Sequence, residues 1–131
     1  MGATEYIIRI TERQAHVINS ALELYFRVGM GQFEEIIQKC FFSECTAEQL
    51  DEARVHLKNA QVVLTKLPPN AYHSITSDKI GEWNRVACDF YDVIRNRLAW
   101  DRSPEGGWGV DFRNPSKFSS EPLATITKVT P

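Results

Sequence analysis

The chain has 131 residues, 43% of them apolar and 24% charged, which fits one globular domain and excludes a disordered or fibrous polymer. Its 15 basic and 17 acidic side chains give a net charge of −2, which argues against a general nucleic-acid binder, since such proteins are clearly basic. A domain of this length buries about two thirds of the surface that its unfolded chain exposes, so it needs no disulfide or metal to fold.

The N-terminus carries no basic region followed by a long apolar core, so no signal peptide is expected. No apolar run approaches the ~20 residues of a membrane span. Gly2 could suggest myristoylation, but Tyr6 stands where that signal wants Ser or Thr.

Residues 5–10 (Glu5-Tyr6-Ile7-Ile8-Arg9-Ile10) form a β-branched run and predict a short strand. Thr11 then caps a first helix over about Glu12–Val28, with Gln14 placed to complete a capping box. Ala15, Ile18, Leu22 and Tyr25 mark its apolar face, widened by Val17, Ala21, Leu24 and Val28. Gly29-Met30-Gly31 breaks it, and a short second helix follows from Gln32 to about Phe41, with Phe33, Ile36, Ile37 and Cys40 inward.

Thr46 caps the third helix, whose Leu50, Ala53, Leu57, Ala60, Leu64 and Leu67 recur at spacings of three and four. Pro68-Pro69 ends it. Ser77 is the expected cap of the longest helix, about Asp78–Trp100, buried through Ile80, Trp83, Ala87, Phe90, Ile94 and Leu98. Beyond Pro104 come a glycine-rich turn, a possible short strand at Val110–Arg113 and an alternating run at Leu123–Val129. The expected fold is therefore mainly α. It is a compact bundle of about four helices forming one domain over residues 1–131, with the N-terminal strand pairing with a loop-and-strand tail over 103–131.

One segment concentrates binding chemistry. Over residues 95–117, Arg95, Arg97, Arg102, Arg113 and Lys117 outnumber Asp101, Glu105 and Asp111, and Trp100 and Trp108 lie among them. Guanidinium groups bind phosphate or carboxylate with paired hydrogen bonds, and indoles offer stacking faces for a base. Arg95, Arg97, Trp100, Arg102, Trp108 and Arg113 are thus the candidate ligand-binding residues for an anionic small molecule such as a nucleotide. The same spacing also fits plain ion pairs, Arg97 with Asp101 and Arg95 with Asp92, and Trp100 sealing the helix end.

Other chemistry has weaker support. Glu34-Glu35 and Asp89/Asp92 resemble half of the carboxylate pattern by which helical nucleotide pyrophosphohydrolases hold Mg²⁺, but Gln38 replaces the carboxylate that pattern needs. His16, His56 and His73 lie in separate elements without metal-ligand spacing. Cys40, Cys45 and Cys88 read as reduced thiols, Cys45 alone in a loop. No catalytic residue, metal or cofactor is implied.

Three stretches carry a resemblance: Ile8-Arg9-Ile10-Thr11-Glu12-Arg13-Gln14-Ala15, Gly29-Met30-Gly31-Gln32-Phe33-Glu34-Glu35, and above all Val93-Ile94-Arg95-Asn96-Arg97-Leu98-Ala99-Trp100-Asp101-Arg102-Ser103-Pro104-Glu105-Gly106-Gly107. With Val110-Asp111-Phe112 and Ser119-Ser120-Glu121-Pro122, they resemble a family of small tailed-bacteriophage accessory proteins. The resemblance implies the cytosol of an infected bacterium and a counter-defence or host-takeover role, and identifies no site residues. The expected function is non-catalytic capture of an anionic small molecule, such as a nucleotide signal, by a homo-oligomer. The alternatives are a protein–protein inhibitor of a host enzyme, anchored by Trp108, Phe112 and Phe118, and a Mg²⁺-dependent pyrophosphohydrolase.

Overall fold

The computed structural model describes residues 4–39 and 44–129. The helices are α1 (Glu12–Gly29), α2 (Glu35–Lys39), α3 (Ala47–Thr65) and α4 (Glu82–Arg102), followed by one 3₁₀ turn at Val110–Phe112. The fold is mainly helical, as its sequence periods predict, and no strand occurs among the described residues.

Local chemistry accounts for the helix starts. Thr11 accepts from the Gln14 amide at 3.1 Å, while the Gln14 side chain accepts from the Thr11 amide at 2.9 Å. Thr46 and Gln49 repeat this reciprocal box at α3. Ser77 does not start α4. Its hydroxyl accepts from the Lys79 amide in a tight turn, and Gly81 is the N-cap. The helix begins four residues later than the Ser77 cap predicts and continues to Arg102.

The core lies between α1 and α4. Phe26 and Met30 pack against Ile80, Ala87, Cys88 and Tyr91, with Leu22 and Ile75 at the margin. The Phe26 and Tyr91 rings meet at 5.3 Å and 58°, a tilted aromatic contact. Farther along α4, Val93, Ile94 and Ala99 are buried, Ile94 almost completely. Glu23 ties three helices together. It accepts from Arg27 at 2.9 Å, pairs with Lys39 of α2, and receives the Tyr91 hydroxyl at 3.1 Å.

α3 turns inward the face its leucines predict as far as Leu57, with Leu50, Ala53 and Leu57 half-buried. Beyond Leu57 the covered positions step to buried Gln61 and half-buried Thr65, leaving Ala60 exposed and Leu64 69% exposed. The reason is Gln61, which is buried and fully engaged. Its carbonyl oxygen accepts from the Phe33 amide, and its amino group donates to Pro69 and Ala71. Those bonds fix α3 to the segment between α1 and α2 and to its own exit loop. α2 starts at Glu35, three residues later than expected, and Cys40 and Phe41 lie outside the described residues.

Both expected strands are absent, so the predicted pairing of the two chain ends does not form. Residues 5–10 run as an open arm with Tyr6, Ile7 and Ile8 in solvent. In residues 123–129 the half-buried side chains are Leu123 and Ile126, three apart, which is not the period of two that a sheet face requires. An isolated two-stranded ribbon is marginal in water, and neither segment has a third strand to join among the described residues. Val110–Phe112 is a 3₁₀ turn, not a strand, entered through Gly109 at φ 108°.

Instead of sheet pairing, α4 side chains hold the irregular segments. Arg85 donates to the carbonyls of Ile75 and Ser77. Asp89 is buried and accepts from the amides of Phe118 at 2.7 Å and Ser119 at 2.9 Å. Glu82 accepts from the amide and hydroxyl of Ser120. These charge-assisted bonds satisfy backbone groups that a ladder would otherwise have paired.

Ile94→Ala is expected to cost about 2–5 kcal/mol, because it opens a cavity in the tightest part of the core; urea unfolding measures it. A second expectation concerns Glu23. Burial alone would raise its carboxyl, but hydrogen bonds and charge from Lys39 and Arg27 outweigh that and hold it below its ordinary value. Such a group stabilises the fold above the unfolded carboxylate range and stops doing so as pH falls through its native pKa. Glu23→Gln should lose on the order of 1–3 kcal/mol at pH 7. The gap from the unsubstituted chain should close below about pH 4, which paired urea titrations would show.

Candidate functional site

The arginine and tryptophan residues singled out by sequence sit at the C-terminal half of α4 and the loop after it, and most are already engaged. Arg95 Nη2 lies 3.0 Å from Asp92 Oδ1, and its Nε lies 3.4 Å from Asp111 Oδ1 without an aligned hydrogen bond. Its guanidinium also covers the Tyr91 ring at 5.1 Å. Burial pushes the Asp92 carboxyl above its ordinary value despite Arg95. Arg97 Nη2 is 2.7 Å from Asp101 Oδ1.

Trp100 meets Phe112 edge-on, with centroids 5.4 Å apart at 83°, and its Nε1 donates to the Phe112 carbonyl at 3.3 Å. Asn96 donates to the carbonyls on either side, those of Asp111 at 3.1 Å and Arg113 at 2.8 Å. Three consecutive carbonyls of the tail are thus caught by α4. Arg102 and Arg113 are exposed, with no ion-pair partner among the described residues, and Trp108 stands fully in solvent. The six residues therefore share one end of the molecule, but the arginines do not converge: two face their own aspartates and two face water.

The carboxylates do not converge either. Glu34 holds Arg54 at 2.8 Å, and Asp89 is spent on the tail amides. No three His, Cys, Asp or Glu side chains among the described residues stand close enough to share a cation. His16 and His56 each approach a glutamate one turn away on their own helix. Cys45 is exposed, whereas burial and the nearby Asp92 and Asp89 push the Cys88 thiol up to about 12, which leaves it protonated and unreactive. Cys40 lies outside the described residues.

The concave surface is elsewhere, at the N-terminal half of α4. A groove of about 490 Å³ runs between α1 and α4, lined by Ile18, Leu22, Tyr25, Trp83, Val86 and Phe90 among others, with no charged side chain in its walls. Trp83, Val86 and Phe90 form a ridge at helical spacings of three and four, and a second hollow lies on the ridge's other side, against the tail. There the acids Glu82, Asp89 and Glu121 join the wall, and no basic residue does. Sequence periodicity places Trp83 and Tyr25 in the core. The structure leaves them 77% and 55% exposed, because Asp89 and Glu82 pin the tail to one side of the ridge and no described residue covers the other.

No family model, no curated protein and no solved structure matches this chain. Function must therefore be read from the chain's own geometry. No helix among the described residues is long and apolar enough to cross a membrane.

The loop that follows α4 depends on Gly106. It has φ 83°, and a Cβ there would lie 2.9 Å from the Trp100 ring. Gly106→Ala should destabilise the fold by roughly 1–3 kcal/mol, through backbone strain and displacement of the indole. Thermal melts of this variant against the unsubstituted chain measure the effect.

Proposed function

We propose that this chain is a non-catalytic binding protein that docks a segment of a partner protein in the α1–α4 groove. One observation carries the reading: a continuous apolar face, with Tyr25 and Trp83 standing in solvent, lies over the α1–α4 core. Leaving such a face in water is unfavourable, and exposed apolar patches on a soluble domain mark interaction sites. Aromatic side chains are the usual anchors of such interfaces.

The lining also describes the partner. Its docking segment is apolar where it meets Leu22, Tyr25 and Phe90, since no charged side chain lines that groove. The likeness to tailed-phage accessory proteins adds a setting, the bacterial host cytosol, and a role, inhibition of a host protein by occlusion.

Nucleotide capture at Arg95, Arg97, Trp100, Arg102, Trp108 and Arg113 has less support. Arg95 and Arg97 are neutralised by aspartates of the same chain, so an incoming phosphate would first have to break those pairs. Calorimetry against cyclic and linear nucleotides should give no binding at micromolar protein; a micromolar dissociation constant would restore that reading.

Trp83→Asp tests the docking surface directly. Trp83 is mostly exposed, so the variant should stay within about 0.5 kcal/mol of the original stability. A stoichiometric partner retained by the unsubstituted chain and by Arg97→Ala should be lost by Trp83→Asp, at a cost of about 2 kcal/mol or more in affinity. Equal retention by all three would refute the assignment.

A further inference from the structure

α3 carries a periodicity that the fold leaves half unused. Leu50, Leu57 and Leu64, with Ala53 and Ala60, repeat at strict seven-residue intervals, the spacing by which two helices share one seam. The body uses only the first half of that seam. Beyond Leu57 the covered positions advance by four, to Gln61 and Thr65, and the seam turns away: Ala60 is exposed, Leu64 is 69% exposed and Val63 beside it 73%. Gln61 is the one buried residue of the helix, and no described residue covers its outer face.

Charge on that outer face is divided end to end. Glu48 and Glu52 stand on one flank of the exposed stripe, Asn59 follows at its middle, and Lys66, at the C-cap, closes the same flank; all four are exposed. Among the described basic residues Glu52 approaches only His56 of its own helix, at 3.7 Å, and Lys66 has no ion pair among the described residues. Such a surface is complementary to itself in one direction only. Laid parallel, a second copy sets Glu52 against Glu52 and Lys66 against Lys66. Laid antiparallel about a twofold axis at Asn59, it sets Glu52, seven residues before the axis, opposite the second copy's Lys66, seven residues after it, and the pair occurs twice. The antiparallel order also places each helix's positive end beside the other's negative end. Ala60, next to the axis, has no side chain beyond Cβ and lets the two backbones approach closely. Val55 and Val63 lie four residues to either side of the axis and fall opposite each other across the pair.

We propose that the outer face of α3 is a homodimer interface, in which the α3 helices of two copies pair antiparallel about a twofold axis near Asn59 and Glu52 of each meets Lys66 of the other. An isologous contact of this kind closes after two copies and does not propagate into a filament. It is separate from the α1–α4 groove, none of whose lining residues belongs to α3. The dimer therefore carries two grooves, and a partner that presents two docking segments is held more tightly than either segment alone.

Sedimentation equilibrium of the full chain at micromolar protein tests the pairing. The unsubstituted 15.0 kDa chain should sediment at twice its mass. Ala60→Arg should weaken the dimer roughly 100-fold or more, because it sets two bulky like charges against each other beside the axis. Its helical circular dichroism should stay unchanged, since the position is exposed and arginine is a good helix former. Charge reversal reads the orientation. Glu52→Lys and Lys66→Glu should each weaken the dimer about 10-fold, by turning two attractions into two repulsions, and the double variant Glu52→Lys/Lys66→Glu should restore it. Trp83→Asp, at the groove, should leave the dimer intact. A monomeric unsubstituted chain, a dimer that survives Ala60→Arg, or one lost on Trp83→Asp overturns the proposal. Single reversals without effect, or a double reversal that fails to restore the dimer, overturn it as well.

Discussion

The packing of α4 against α1 is the contact on which the rest of the molecule depends. Phe26 on Tyr91, with Met30, Ala87 and Cys88 around them, removes a continuous apolar surface from water and fixes the apolar stripes of α1 and α4 against each other. The short pieces of the chain cannot fold without that platform. α2 shows five residues among those described, well below what an isolated helix needs, and is held through Lys39 on Glu23. The tail has no repeating hydrogen bonds of its own and takes them from α4.

This division of labour explains why the polar residues of α4 do structural work. Asp89, Asn96 and Arg85 each bind main-chain groups of a different loop, so a buried carboxylate, an amide and a guanidinium replace the ladder that a sheet would supply. Arg95 and Arg97 neutralise Asp92, Asp111 and Asp101 at the far end. Chemistry that in sequence suggests a ligand site is, in the fold, mainly the chain's attachment to itself. The same attachments leave a surface open: by holding residues 118–120 beside one flank of the Trp83 ridge, Asp89 and Glu82 prevent the tail from crossing to the other.

Much of the helical scaffold was legible because its signals are local. Thr11 with Gln14 and Thr46 with Gln49 report helix starts through bonds three residues apart, and glycine or proline reports the ends. The reading fails where a local signal has a competitor. Ser77 is a good cap in isolation, but its hydroxyl turns to Lys79, and the Arg85 bonds to Ile75 and Ser77 keep that segment in a turn. The β-branched run at residues 5–10 has strand propensity without a partner, and propensity alone does not make a sheet.

What the sequence determined by itself is the helical class, the positions of three helices to within a few residues, and the ion-pair spacing at the end of the longest one, since each depends on residues within a turn or two of one another. Which residues are covered was decided only by tertiary structure. Periodicity says that Leu64, Tyr25 and Trp83 lie on apolar stripes. Whether a stripe meets a neighbour depends on where Gln61 anchors α3 and where Asp89 anchors the tail. Those bonds join residues 10 to 30 positions apart, and the exposed groove is the space they leave uncovered.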